Sequence, residues 1–162
     1  MGISKGGIET WMAAAVDRRI KVVVPVIAVQ SFGWSLNNDR WQGRANTIRG
    51  AHLAVAHDVG DTAINKKNVL QLWNKILPGI TGEFDCPSML PLMAPRPLLI
   101  LSTSDDANCP LPGAKIAYAA ALAAYKAAGM EDRVVMNIEA GQPHTFTPAH
   151  QAMAIAWFKR WL

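Results

Sequence analysis

Three residues stand in the sequence in an order that suits acyl transfer: Ser4 in Gly2-Ile3-Ser4-Lys5-Gly6, an aspartate in Ser104-Asp105-Asp106, and His144 after Gly141-Gln142-Pro143. A serine hydroxyl is a weak nucleophile until a neutral imidazole lies within hydrogen-bonding reach and a carboxylate holds that imidazole. The G-x-S-x-G pattern serves this by strain, because its serine projects from a sharp strand-to-helix bend and its glycines let the backbones pack closely. Ser4 has the helix side of that context, but only Met1 precedes Gly2 on the strand side. A pattern with two fixed glycines also marks ordinary turns. Order is what raises it above one, since Ser, Asp, His is the chain order this bend implies.

The elements that must position these residues follow from periodicity. Residues 7–16 are rich in helix formers, with Ile8, Met12 and Val16 at four-residue spacing, so a buried helix is expected. Residues 21–28 (KVVVPVIA) lack polar alternation, as in a parallel strand covered on both faces. Pro25 removes a ladder donor there, so this strand should end early or lie at an edge. Residues 30–49 mix Gly, Asn, Asp and Ser with Trp34 and Trp41 and read as a long loop that could line a site. Asp61 or Thr62 is placed to cap a helix running through Ile76, with Val69, Leu72, Trp73 and Ile76 on one face. Residues 97–103 (PLLILST) form a second buried strand. Residues 115–128 form a helix with Tyr118, Leu122 and Tyr125 inward, and residues 133–139 a third strand. Thr147-Pro148 then starts a last helix whose Met153, Trp157 and Trp161 face inward. The alternation argues for one α/β domain over residues 1–162, with a parallel sheet of about three strands flanked by helices. Asp106 and His144 then fall at the carboxyl ends of neighbouring strands, where open α/β sheets build their sites.

Composition narrows the function. The chain has 162 residues, 51% of them hydrophobic, and six tryptophans, which is ample for one core. Its +4 formal charge is scattered, with no basic run longer than a pair such as Arg18-Arg19, so no nucleic-acid footprint is expected. No apolar stretch approaches the ~20 residues of a membrane span. The two cysteines, Cys86 and Cys109, lack metal-ligand spacing, and no glycine-rich phosphate loop appears, so neither metal nor organic cofactor is implied. His52, His57 and His150 have no partner position comparable to that of His144 and read as surface or helix residues.

Several stretches together resemble the C-terminal half of an α/β-hydrolase: Gly2-Ile3-Ser4-Lys5-Gly6-Gly7, Asp17-Arg18-Arg19-Ile20-Lys21, Ala94-Pro95-Arg96-Pro97-Leu98-Leu99-Ile100, Asp106 with Cys109-Pro110, Gly141-Gln142-Pro143-His144, and Trp157 through Leu162. The similarity is to the acetyl xylan esterase-like and dienelactone hydrolase-like branches, which border the prolyl oligopeptidase-type peptidases. Carried over by position, it implies Ser4 as nucleophile, Asp106 as the acid that orients the imidazole, and His144 as general base and later acid. Asp105 is the rival acid. Asp106 is preferred because in similar sequences the acid stands four residues before a proline, here Pro110. The Lys5 backbone N–H would serve an oxyanion hole, and Trp34 and Trp41 would wall a substrate pocket. The implied activity is cleavage of small carboxylic esters, with a peptidase and a non-catalytic binding module as alternatives.

The resemblance also implies strands before the serine turn and a second oxyanion donor, for which this sequence has no counterpart. The strand at 21–28 is then expected to expose a long apolar edge. A longer gene product, copies that cover one another, or a non-catalytic role would each account for this. Self-association over the open edge, as a homo-oligomer, is the expectation for the second.

Overall fold

Four parallel strands lie side by side in chain order in the computed structural model, which describes residues 1–162. They are β1 (Gly2–Ile3), β2 (Pro25–Val26), β3 (Leu98–Thr103) and β4 (Val134–Glu139). Helix α1 (Lys5–Val16) joins β1 to β2. Between β2 and β3 run α2 (Phe32–Asn37), α3 (Gln42–Asn46), α4 (Arg49–Asp58), α5 (Lys66–Ile76) and α6 (Cys86–Met89), followed by a 3-10 turn. Helix α7 (Leu111–Ala127) joins β3 to β4, and α8 (Pro148–Trp161) ends the chain. No helix is long and apolar enough to cross a membrane.

The sheet is apolar on both faces, as the uninterrupted β-branched runs require. Val23, Leu98, Ile100 and Val134 pack with Trp11 and Ala14 of α1 and with Ala114, Ala117, Ala121 and Tyr125 of α7. Val22, Val24, Val26, Leu99 and Leu101 point the other way, against Ala154 and Trp157 of α8. Alternate residues of one run thus feed two cores, and each large aliphatic side chain so buried contributes ~1.5–3 kcal/mol.

The sheet has one strand more than the three expected. β1 forms where only Met1 precedes Gly2, because the amides of Gly2 and Ser4 donate to Val24 O and Val26 O at 3.3 and 2.9 Å. β2 is consequently an interior strand, and the open edge belongs to β1, where Met1 and Ile3 are 56% and 45% exposed. Pro25 does not push β2 to the edge. The amides of Val23 and Ile27 donate to Pro97 O and Leu101 O of the β3 side, and Pro25 occupies the rung between them, so the ladder loses one bond and β2 shortens.

Other expectations are corrected by long-range partners. Residues 30–49 contain α2, α3 and the start of α4 rather than a loop. Ser31 caps α2 by accepting from Trp34 N, and the Asp85 carboxylate takes the Phe32 and Gly33 amides and the Ser31 hydroxyl from more than 50 residues away. Asn65 caps α5 in a reciprocal box with Asn68, while Asp61 accepts from both their side-chain amides. Tyr125 and Trp157 are buried as expected, but the inward stripes centre on Gly7, Trp11 and Ala14 of α1, Gly113, Ala114, Ala117 and Ala121 of α7, and His150 and Ala154 of α8. Ile8, Met12, Tyr118, Leu122 and Trp161 lie at the margins of the cores. Val16, Ile76 and Met153 are exposed. Small residues let these helices approach the sheet and each other closely. An ideal Cβ on Gly7 would sit 2.4 Å from Ala28 Cβ, and one on Gly2 only 2.1 Å from Gly6 O.

Candidate active site

Parallel strands deliver their carboxyl ends to one side of the sheet, and the residues just beyond β1, β3 and β4 are Ser4, the 104–109 loop and the 140–147 loop. Ser4 sits at φ 54°, ψ −115°, between β1 and the first residue of α1. A side chain in that region costs ~1–3 kcal/mol of backbone strain, which the pairing of β1 and the helix start must hold. The result is a hydroxyl turned out of the bend toward the histidine loop.

His144 Nε2 lies 2.8 Å from Ser4 Oγ, and His144 Nδ1 lies 2.7 Å from Asp106 Oδ2. Asp106 is buried, whereas Asp105 is exposed and accepts from the neighbouring Ser104 hydroxyl. The other carboxylate oxygen, Asp106 Oδ1, accepts from the amides of Asn108 and Cys109 at 2.8 and 2.9 Å. One side chain therefore closes its own turn and holds the imidazole. His144 is partly open to solvent, as a ring that must meet a ligand requires.

The two loops are stitched together beyond the end of the β3–β4 ladder. Ser104 N donates to Glu139 O, Gly141 N to Ser104 Oγ, Asp105 N to Gln142 O, and Thr103 Oγ1 to Pro143 O, the residue before His144. Thr147 also donates to Glu139, which ties the two ends of the histidine loop. From below, Arg44 Nη2 donates to Cys109 Sγ, and that thiol donates to Ile27 O. Sequence reasoning missed Thr103, Arg44 and Ile27. Thr103 and Ile27 stand at or just beyond strand ends, whereas Arg44, inside α3, carries no such local signal.

Lys5 is the first residue of α1, so its amide has no carbonyl one turn back to pair with. Its ammonium donates to Thr47 O at 3.0 Å. A cavity of about 410 Å³ opens beside it between α1 and the α2–α5 segment, lined largely by apolar side chains that include Phe32 and Trp73. Trp34 lies against Gly113 at the start of α7, Trp41 packs on the larger core, and neither lines this cavity.

The remaining histidines divide. All three lie on helices, as one half of the expectation had it; His57 is exposed, whereas His52 on α4 and His150 on α8 are fully buried and not at the surface. Burial pushes both imidazoles below the usual histidine range, and neither ring nitrogen of His52 finds a partner. His150 Nε2 sits 3.0 Å from Asn137 Oδ1. For metal binding, the one close set of donors is Asp106, Cys109 and His144, whose ligand atoms lie within 4.8 Å of one another. All three are committed elsewhere, and burial pushes the Cys109 thiol up to about 12, so the set is poorly suited to a cation.

No protein-family model matches the chain, and no curated protein matches it by sequence. Solved structures do resemble it. Methylesterase BT1017 has a TM-score of 0.64 at 16% identity, over 99% of this chain and 28% of that one. A carbohydrate esterase family 15 glucuronoyl esterase from Caldicellulosiruptor kristjansonii gives 0.63 at 20% identity, over 99% and 42%. An acetyl xylan esterase from Paenibacillus sp. R4 gives 0.60 at 17%, over 100% and 44%. The chain thus spans less than half the length of each of these neighbours. It has the α/β architecture expected from the sequence, a four-stranded parallel sheet flanked by helices that matches a truncated α/β-hydrolase fold.

Proposed function

We propose that the chain is a serine hydrolase that cleaves carboxylic esters through an acyl-enzyme. The observation that carries this is the relay Asp106–His144–Ser4, at 2.7 and 2.8 Å, ending on a serine held at φ 54°. Ser4 Oγ attacks the ester carbonyl carbon while His144 Nε2 takes its proton. The carbonyl oxygen becomes an oxyanion near the Lys5 amide, a group that ordinarily stabilises such charge by hydrogen bonding. As the tetrahedral species collapses, the C–O bond to the alcohol breaks and His144 returns the proton to the leaving oxygen. Water then gives its proton to His144, attacks the acyl carbon and releases the acid, and Ser4 recovers its proton. Asp106 keeps the ring oriented and stabilises its transient positive charge without taking the proton itself.

Ester substrates are favoured over peptides by the names of the three neighbours above, each an esterase. The test is turnover of a short-chain p-nitrophenyl ester against a peptide p-nitroanilide. Ester cleavage lost in Ser4→Ala is expected. Equal cleavage by both proteins, or preferred cleavage of the peptide, contradicts the reading.

A second reading, a non-catalytic module that self-associates, draws on one observation: the exposed β1 edge with Met1 and Ile3. On this reading a second copy covers that edge, and Ser4 does no chemistry. Light scattering at micromolar concentration tests it. A concentration-dependent dimer supports it, and a mass fixed at one chain across the range contradicts it.

A further inference from the structure

Helix α3 is five residues long, too short to hold itself together, and its sequence Gln42-Gly43-Arg44-Ala45-Asn46 sets a glycine beside an arginine. Both meet the turn that follows Asp106. A Cβ on Gly43 would lie 2.1 Å from Ala107 O, so only glycine lets α3 come this close to that carbonyl. Arg44 is 5% exposed, and its Nη2 donates to Cys109 Sγ at 2.7 Å. Asn108, between them, is held by the buried Gln30. With the Gln30 amide turned so that both of its ends have partners, its nitrogen donates to Asn108 O at 3.0 Å and its oxygen accepts from Arg44 Nε at 3.2 Å. Each of the three residues after Asp106 is thus held by the 30–44 segment, and Arg44 takes part in two of the three contacts.

The far side of this joint is strained. Cys109 Sγ donates to Ile27 O at 3.1 Å, and Ile27 holds φ 44°, where a β-branched side chain is an outlier. Such strain persists only where the surroundings over-determine it, and it gathers at sites whose geometry matters. Arg44 is itself unfavourable where it sits. Its guanidinium is always charged, takes part in no ion pair, and has an Nη1 cut off from water without a partner. An apolar side chain would fill the space without that penalty. It would not supply a fork that grips a thiol and an amide at once, nor a positive charge across one thiol from a buried carboxylate. Cys109 Sγ lies within 4.8 Å of an Asp106 carboxylate oxygen.

We propose that Arg44 is a positioning residue for Asp106. Through Cys109 and Gln30 it fixes the 107–109 turn, the Asn108 and Cys109 amides of that turn hold Asp106 Oδ1, and Oδ2 is thereby kept on His144 Nδ1. The consequence falls on the imidazole. A ring whose Nδ1–H is held by a carboxylate carries its proton there and leaves Nε2 free to accept from Ser4. With the acid loosened, the neutral ring populates both tautomers. The link to turnover rests on the esterase reading, whereas the link to the tautomer rests on the relay geometry alone.

Long-range proton–nitrogen correlation spectra of the imidazoles read the tautomer without any substrate. They are recorded well above the usual histidine pKa of about 6.5, with the His144 signals identified by their loss in His144→Gln. The native chain is expected to show His144 with its proton on Nδ1, and Arg44→Met a mixture of the two tautomers. Should Arg44→Met fail to fold, Cys109→Ala cuts the same joint and is expected to give the mixture, while Cys109→Ser, which keeps a donor and an acceptor there, is expected to restore the single form. In the ester assay the two cutting variants should lose about 10- to 100-fold in kcat with KM little changed. A native chain without ester turnover would refute the esterase reading, and the spectra would still decide this proposal. A native-like His144 tautomer in Arg44→Met, or a Cys109→Ala spectrum no different from that of Cys109→Ser, would overturn it.

Discussion

The two ends of the sheet hold their parts of the candidate site very differently. On one side, β3 and β4 pair over six residues each, and four further hydrogen bonds carry that pairing into the loops bearing Asp106 and His144. On the other side, Ser4 follows a two-residue strand with a single neighbour, anchored by the Gly2 and Ser4 amides. The acid and the imidazole are therefore fixed to one another as a unit. The hydroxyl is brought to them by a thin edge, whose position rests on close glycine packing as much as on the ladder. In such an arrangement the relay has a rigid half and a vulnerable half, and perturbing each should fail in a different way.

The largest expected effect falls on the rigid half. Asp106→Asn leaves the fold in place but removes the charge that fixes the His144 ring, and ester turnover should drop by about 10⁴-fold. Unchanged circular dichroism and melting accompany that loss if the turn bonds to Asn108 and Cys109 survive. On the edge, Gly2→Ala introduces a Cβ into the Gly6 carbonyl, and the clash should cost about 2–3 kcal/mol in chemical denaturation. Stability and activity fall together there, in contrast to Asp106→Asn. A Gly2→Ala protein with wild-type stability would break the comparison.

Thr103→Val sharpens it. Removing the hydroxyl that donates to Pro143 O loosens the histidine loop without touching the relay, so kcat should fall about 10- to 100-fold with KM little changed, and Thr103→Ser should recover most of the rate. The smallest effect lies away from both ends. The folded-state pKa of the buried His52 and His150 is lowered, so the unfolded chain takes up protons first as pH falls. Their contribution is neutral above the usual histidine pKa of about 6.5, and stability declines as pH drops below it. His52→Leu removes two unpartnered buried nitrogens, and denaturation at pH 5 should show a gain of about 1 kcal/mol with a flatter acid limb. A steeper limb would contradict the assignment.

How much of this was legible in sequence depended on whether the controlling contact was local. Residues 97–103 and 133–139 read as strands because their apolar runs pack on both faces, and Thr147-Pro148 reads as a helix start because the Thr147 hydroxyl caps its own turn through His150 N. Asp106 was separable from Asp105 only through the family resemblance, and Asp106 is the buried one of the two. What escaped was set at a distance. The carboxylate of Asp85 organises α2 across more than 50 residues, which turned an apparent loop into helix. β1 exists because Val24 and Val26 offer carbonyls to Gly2 and Ser4, a pairing no two-residue segment can announce. The inward faces of α1 and α7 were read only in part, with Tyr125 fully buried as expected and Ile8, Met12, Tyr118 and Leu122 at the margins of the core, because close helix–sheet packing selects Gly and Ala at the centre of such a face.

The account turns on Ser4 being a nucleophile activated by His144, and covalent labelling reads that directly. A fluorophosphonate probe, with the modified peptide located by mass spectrometry, is expected to label Ser4 in the native chain and to label neither Ser4→Ala nor His144→Ala. Absence of label on folded protein, or label at Ser4 that persists undiminished in His144→Ala, would contradict it.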